Sequence, residues 1–295
     1  MKKTALALAL AFGISGAFAQ DLTSKKGEPY LPEAGDWSIG IDANPLLNYM
    51  GNLFSGNTGM NNAPTWNFMN ATQTIIGKMF TDEATAYRGI LRIGMWSNKE
   101  TALIGVPQAT APTFPNVPAM TEDTWKSAGN FIGLGGGLEM RRGKTRLQGF
   151  YGGDAMFWMY GGKDTYTYGN GLNPSGTPPV TVANSTNFGG NMTMDTYGNA
   201  ARVLESKMGT TIGFGVRGFI GAEYFIFPKI SIAGEFGWGL GISKTGAGSM
   251  TWESIDGTNV GTQTMETGTS GGFWLDTDQN MFGTNSATLR LNFHF

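Results

Sequence analysis

From Trp37 to Phe295, apolar side chains return at every second position in eight separate runs, the spacing of strands with one face turned to apolar surroundings. Trp37, Ile39, Ile41 and Ala43 alternate with Ser38, Gly40, Asp42 and Asn44. A second run, near 73–80, is less regular because Ile75 and Ile76 are adjacent. The third sets Tyr87, Gly89, Leu91, Ile93 and Met95 against Arg88, Arg92 and Trp96. The fourth sets Ile132, Leu134, Leu138 and Met140 against Gly133, Gly135, Gly137, Glu139 and Arg141. In the fifth, Leu147, Gly149, Tyr151, Ala155, Phe157 and Met159 oppose Gln148, Asp154 and Trp158. The sixth opposes Ile212, Phe214, Val216, Ile220, Ala222, Tyr224 and Ile226 to Arg217 and Glu223. The seventh opposes Ile230, Ile232, Phe236, Trp238, Leu240 and Ile242 to Ser231, Ala233, Glu235 and Gly237, Gly239 and Gly241. The last opposes Leu289, Leu291, Phe293 and Phe295 to Arg290, Asn292 and His294.

Two kinds of connection separate the runs. Tight turns at 81–84, 143–144 and 228–229 alternate with long polar segments. One long segment passes through Asn57, Asn61, Pro64 and Trp66; the others cover about 97–128, 163–208 and 243–283. Short turns at one end and long loops at the other are the rhythm of an outer-membrane barrel. The expected fold is therefore all-β, an eight-stranded antiparallel up-and-down transmembrane β-barrel with four long extracellular loops. Both termini then fall in the periplasm of a Gram-negative bacterium.

Charge gives an independent check on the faces. Asp42, Lys78, Arg88, Arg92, Glu139, Asp154, Arg217, Glu223, Glu235 and Arg290 all fall opposite the apolar positions. A base facing lipid costs roughly 2–4 kcal/mol at mid-bilayer, and a one-residue slip would turn every one of them outward. A barrel of this size is only wide enough for side chains to fill. Five bases against five acids predict an ion-pair network that closes the lumen. The alternative is that some of these groups sit near the mouths and are hydrated. Aromatics at the run ends predict two interfacial girdles. Trp37, Phe80, Tyr87, Tyr224, Phe227, Phe293 and Phe295 belong to the turn end, and Phe131, Phe157, Tyr160, Trp238 and Trp96 to the loop end.

Composition agrees with this picture. Charged residues are 14% and hydrophobic residues 40%, with 46 glycines, too few charges for an ordinary soluble surface. No apolar run of about 18 residues follows the first residues, so no helical span is offered. A net charge of −2 gives no footprint for nucleic acid. With no cysteine there are no disulfides, thiolate metal sites or lipid-modified cysteine. Lys2 and Lys3, the apolar stretch after them and Ala17-Phe18-Ala19 read as a secretory signal peptide over 1–19. Residues 20–36 read as a periplasmic lead-in and 37–295 as the barrel.

The leader, the strand rhythm and the closing Leu-Arg-Leu-Asn-Phe-His-Phe resemble the OmpA/OmpX-like small outer-membrane barrels over Trp37–Phe295. The resemblance implies that Leu291, Phe293 and Phe295 form the signal read by the barrel-assembly machinery. It carries no peptidoglycan-binding domain, so no wall tether is implied. Pro-Tyr-Leu-Pro-Glu-Ala-Gly-Asp-Trp at 29–37 also looks like a lead-in of small envelope barrels.

Few motifs point to chemistry. Gly213 to Gly218 matches G-x-G-x-x-G, but strand alternation runs straight through it, whereas a dinucleotide site needs a helix to follow. Asp276, Asp278 and Asn280 resemble the front of a calcium loop, with Met281 and Ala287 where the turn Gly and bidentate Glu belong. His294, the one histidine, lies at the turn end, away from where a barrel hydrolase would place its base. No cofactor or catalytic residue is expected. Trp66, Trp125, Trp252, Trp274, Tyr166, Tyr168 and Tyr197 fall in loops, where they either contact an extracellular partner or cap the barrel mouth. The expected function is a non-enzymatic outer-membrane barrel with a structural or surface-interaction role. The alternative is a narrow channel for ions or small solutes.

Overall fold

A computed structural model describes residues 22–55, 74–276 and 288–295. The expected signal peptide, Asn57, Asn61, Pro64 and Trp66, and Asp278 and Asn280 of the calcium-like run lie outside these residues. The described chain is an all-β antiparallel sheet of thirteen strands with one α-helix.

β1 (Trp37–Asp42) pairs with β2 (Ile75–Asp82), β2 with β3 (Thr85–Gly105), β3 with β4 (Met120–Arg142) and β4 with β5 (Leu147–Thr167). Between β5 and the next long strand come the short β6 (Met192–Met194) and β7 (Ala200–Lys207). β5 then pairs with β8 (Thr211–Phe227), and β8 with β9 (Ile230–Thr245). β10 (Ser249–Asp256), β11 (Asn259–Glu266) and β12 (Ser270–Asp276) follow. β13 (Thr288–His294) pairs with both β9 and β1.

The thirteen strands differ from the expected eight because strand continuations are counted apart. β7 runs on from β8 across 208–210, β10 runs on from β9 across 246–248, and the two continuations pair as β8 and β9 do. Segments read as loops are thus prolonged hairpins. β3, β4 and β5 likewise run to Gly105, from Met120 and to Thr167. The apolar alternation that marks a strand fades where both faces meet polar surroundings, so pattern alone stops short of the true strand ends. A second correction lies after β1, where α1 (Asn44–Ser55) replaces the start of the first loop. Pro45 sits in its first turn, where its missing N–H is no loss. The Asp42 carboxylate accepts from the Asn44 N–H at 2.9 Å.

The outer continuations have their own polar core. The buried Asp123 carboxylate accepts from the backbones of Gly169 (2.8 Å) and Thr186 (2.7 Å). Arg202 reaches Glu253 at 2.7 Å and lies 4.2 Å over the Tyr168 ring. Burial, partly offset by a hydrogen bond from Asn191, pushes the Tyr168 hydroxyl up to about 12, so it stays protonated and donates to the Val203 carbonyl at 2.7 Å. Although burial opposes it, the Asp195 carboxyl is held down to about 2 by hydrogen bonds from Asn199, Ser254 and Tyr197.

At the turn end the lead-in is fastened across the sheet. The Arg146 guanidinium lies 3.5 Å over the Tyr30 ring. The Gly35 N–H donates to the Phe80 carbonyl at 2.8 Å, and Lys229 forms an ion pair with Asp36. Backbone groups of Trp37 and Phe295 exchange two hydrogen bonds, of 2.8 and 2.9 Å. Burial pushes the Asp36 carboxyl up, but Lys229 and the Glu33 N–H outweigh it and hold the carboxyl below its ordinary value. A depressed folded value means that this contribution is full above the ordinary carboxylate pKa of about 4 and fades as pH falls through the folded value. Hydrogen exchange of the Gly35 and Asp36 amides, corrected for intrinsic rates, is therefore expected to quicken as pH drops below about 4. In Asp36→Asn it should be fast at every pH.

Candidate functional site

Over Ala86–Gly94 of β3, Thr211–Ile220 of β8 and Ser231–Ile242 of β9, buried residues alternate with more exposed ones, so that one face is buried and the other faces out. On the buried face, register lines residues up in rows. Ser38, Lys78, Arg88, Gly137, Asp154, Arg217 and Gly239 are successive cross-strand partners. Ion pairs join this row to neighbouring residues. Glu139 takes Lys78 (2.8 Å), Arg88 (3.3 Å) and Arg141 (3.3 Å). Glu235 takes Arg217 (2.8 Å), Arg88 (2.9 Å) and Arg290 (3.1 Å). Asp154 lies 3.3 Å from Arg88 and 3.5 Å from Arg217, and Glu223 lies 2.6 Å from Arg141 and 4.0 Å from Lys78. All of these side chains are at most 7% exposed.

Two expected residues sit beside this cluster in their own settings. Asp42 is half-buried at the end of β1, directly across the ladder from Arg290. Arg92 is buried with its guanidinium 4.3 Å over the Phe131 ring. Sequence reasoning left Arg141 out of the cluster, although it shares the parity of Glu139 two residues away. It also missed the rings that sheathe the cations: Arg88 lies 3.9 Å over Phe219, and Lys78 lies 5.1 Å over Phe150.

Glycine makes this packing fit. A Cβ on Gly237 would stand 2.1 Å from the Arg217 Nε, and one on Gly213 would stand 2.1 Å from the Trp158 ring. Trp96, Phe150 and Trp274 lie in the same way across Gly129, Gly221 and Gly241, one reason for glycine on this face.

Beyond the charged rows lies an apolar layer. Ile76, Ile90, Phe131, Met156 and Trp158 are buried together, with Tyr160 and Trp274 packed on them. The girdle assignment is corrected here. Phe80 (1% exposed) and Phe131 (8%) share the buried face with the charges, and Tyr160 stacks on Phe131 at 6.0 Å. A ring near a strand end suits either face, and the two-residue offset from Lys78 decides for Phe80. Trp96 shares the parity of Arg92, its ring standing against Gly129 on the same side.

The apolar layer floors a cavity of about 700 Å³ among Trp96, Phe131, Tyr160, Asp164, Ser206 and Met250. The loop aromatics mostly serve packing. Trp125 stacks on Tyr166 at 6.1 Å and donates to Asp164 at 3.1 Å, and Trp252 is buried. Tyr197 is 82% exposed.

Comparison with family models, curated proteins and solved structures gives no match. Function is read from the geometry alone.

Ser231, His294 and Glu223 meet at the turn end of the buried face, a trio that invites comparison with a nucleophilic relay. A relay needs the imidazole between the other two, one ring nitrogen to each. Here Nε2 of His294 faces both Ser231 (3.2 Å) and Glu223 (3.3 Å), and Ser231 donates directly to Glu223. Asn292 also donates to Glu223, at 2.6 Å. The arrangement satisfies a buried carboxylate and leaves the hydroxyl without a base of its own. Gly213–Gly218 lies wholly within β8, so no helix N-terminus follows it. Among the described residues no group of three or more His, Cys, Asp or Glu could hold a metal ion. Leu291, Phe293 and Phe295 share one parity, with Leu291 half-buried and Phe293 and Phe295 exposed.

Removing one member of a buried ion-pair cluster leaves the others uncompensated, at a cost of about 3–5 kcal/mol. Glu235→Gln takes one carboxylate from three guanidinium groups at once, Arg290, Arg88 and Arg217, and is expected to lower unfolding free energy in urea by about that amount. Glu205→Gln, which breaks the exposed pair with Lys163 at 2.7 Å, should change it by less than about 1 kcal/mol.

Proposed function

We propose that the chain is an integral outer-membrane protein whose strands β1, β2, β3, β4, β5, β8, β9 and β13 close into an eight-stranded transmembrane barrel. Its lumen is filled, and its role is structural or one of surface interaction through the outer hairpins. The observation that carries this reading is the inverted distribution of polarity. The charged cluster is buried, while the opposite face exposes Ile93 (45%), Leu134 (51%), Phe214 (48%), Ile220 (63%), Trp238 (57%) and Ile242 (56%). A soluble sheet of this kind would present a large apolar surface to water. Hydrocarbon is the solvent that such a face matches.

Pairing supports closure, since each of these eight strands has an antiparallel partner on both sides and the succession leads from β1 back to β1. Dimensions support a bilayer. The outward run Ile212–Ile226 on β8 spans about 46 Å of strand, which a tilt of about 45° projects to roughly 33 Å, against a hydrocarbon core of about 30 Å. The partners proposed are outer-membrane lipid and, from the family resemblance, the barrel-assembly machinery acting on Leu291, Phe293 and Phe295. Phe114 (98% exposed), Val117 (84%) and Tyr197 stand at the outer tips, where a partner outside the cell would meet them.

Display is favoured over conduction because the ion-pair rows and the apolar layer of Trp158, Met156 and Phe131 succeed one another along the lumen. Full-length protein, its insertion verified by resistance to added protease, is expected to give no current steps in a planar bilayer. Discrete steps that vanish in Arg217→Gln or Glu235→Gln would overturn the filled lumen in favour of the channel.

A further inference from the structure

Past the apolar band at the loop end, the first charged outward residue on β3 is Lys99, on β4 Lys126, on β5 Lys163 and on β9 Lys244. On β7, which runs on from β8, it is Lys207. All five side chains are exposed. Register brings two pairs level, with Lys163 opposite Ala128, two residues from Lys126, and Lys244 opposite Ile212, nearer the apolar band than the other four. Lys99 is the direct cross-strand partner of Lys126, and Lys163 that of Lys207. Like charges directly opposite one another destabilise a ladder, and here two such pairs lie within one arc. The buried rows set Asp154 against Arg217, and where they do place like charges opposite, at Lys78 and Arg88, the Glu139 carboxylate bridges the two. Two acids on the outer side lie near: Glu122 stands 3.7 Å from Lys99, and Glu205 stands 2.7 Å from Lys163. Among the described residues no ion pair engages Lys126, Lys207 or Lys244.

We propose that this lysine arc is a binding site for the phosphate groups of anionic lipid headgroups in the leaflet that surrounds the loop end. It rests on the membrane reading above. The site is continuous with the exposed apolar face, from Met95, Ile132, Met159, Ile212 and Ile242 inward, so acyl chains lying on that face bring their headgroups to the height of the lysines. Five adjoining strands at about 4.8 Å spacing give an arc of about 19 Å, room for more than one headgroup. Phosphate between Lys99 and Lys126, and between Lys163 and Lys207, turns two repulsive pairs into bridged ones. An ammonium is a compact point charge on a flexible stem, suited to phosphate without a fixed orientation. A soluble anion would have no reason to sit where the apolar face ends; a lipid headgroup does.

The test uses full-length protein in phosphatidylcholine vesicles that contain a minor fraction of either brominated phosphatidylglycerol or brominated phosphatidylcholine. Bromine on the chains quenches tryptophan on contact, and Trp238 on the exposed face is the reporter. Quenching should be about three- to tenfold more effective with the anionic lipid, and the preference should decline with added salt. Replacing all five lysines by Gln is expected to abolish the preference, replacing them by Arg to keep it, and Lys25→Gln with Lys26→Gln at the other end to leave it unchanged. If the fivefold variant does not insert, Lys99→Gln with Lys126→Gln, and Lys163→Gln with Lys207→Gln, should each lose part of it. Equal quenching by the two lipids, or a Gln variant that keeps the preference, overturns the proposal. Quenching by neither lipid means that lipid does not touch Trp238, and it overturns the membrane reading itself.

Discussion

Desolvation of charge is the constraint from which the rest of this molecule follows. Ionised groups leave water only where opposite charge and hydrogen bonds replace it. A strand, whose side chains alternate, can meet that demand on one face while the other stays wholly uncharged. The buried rows do this by sharing. Glu235 serves three guanidinium groups and Glu139 three cations, so each acid answers several bases lying on different strands. Glycine on the intervening positions supplies the room. The pairing is therefore a property of the assembled sheet, and no single hairpin contains it.

That arrangement shapes the division of labour along the strands. The turn end is closed by the lead-in, with Tyr30 on Arg146 and Asp36 on Lys229. Charged rows come next, then the layer of Ile76, Ile90, Met156 and Trp158, then the cavity above Phe131 and Tyr160. Beyond it the strands continue as ribbons, stiffened by Arg202, Asp123 and Asp195. The outward surface changes in step, from apolar side chains to lysines. The variety of exposed chemistry lies at the loop end.

Much of this was legible in the sequence where one face meets a strongly selective surrounding. Parity from Trp37, Tyr87, Leu147, Ile212, Ile230 and Leu289 assigned the faces, and the charges on Lys78, Arg88, Glu139, Arg217 and Glu235 followed. Phe80 and Phe131 depart from the expected girdles because parity, and not ring position along a strand, decides the face. Where both faces meet water the alternation weakens, so β7, β10, β11 and β12 passed for loop. α1 was hidden for another reason: Asn44-Pro45 reads as a turn signal, and it equally opens a helix. Arg141 and His294 lie close to turns, where a side chain of either parity is tolerable, so sequence could not say that they join the cluster. Ligands and partners left no comparable trace, because recognition at the outer end depends on side chains brought together by register.

The contact between Trp37 and Phe295 has a bearing on how the molecule comes to exist. β1 and β13 are joined along their length although almost the entire chain lies between them. Contacts of such separation are made late and slowly, since the connecting chain must already be ordered for them to form at little entropic cost. Until that seam forms, β1 and β13 each keep an unpaired edge open to another chain. Synthesis and seam formation are thus separated in time, and the interval between them is when the polypeptide is most exposed to mispairing.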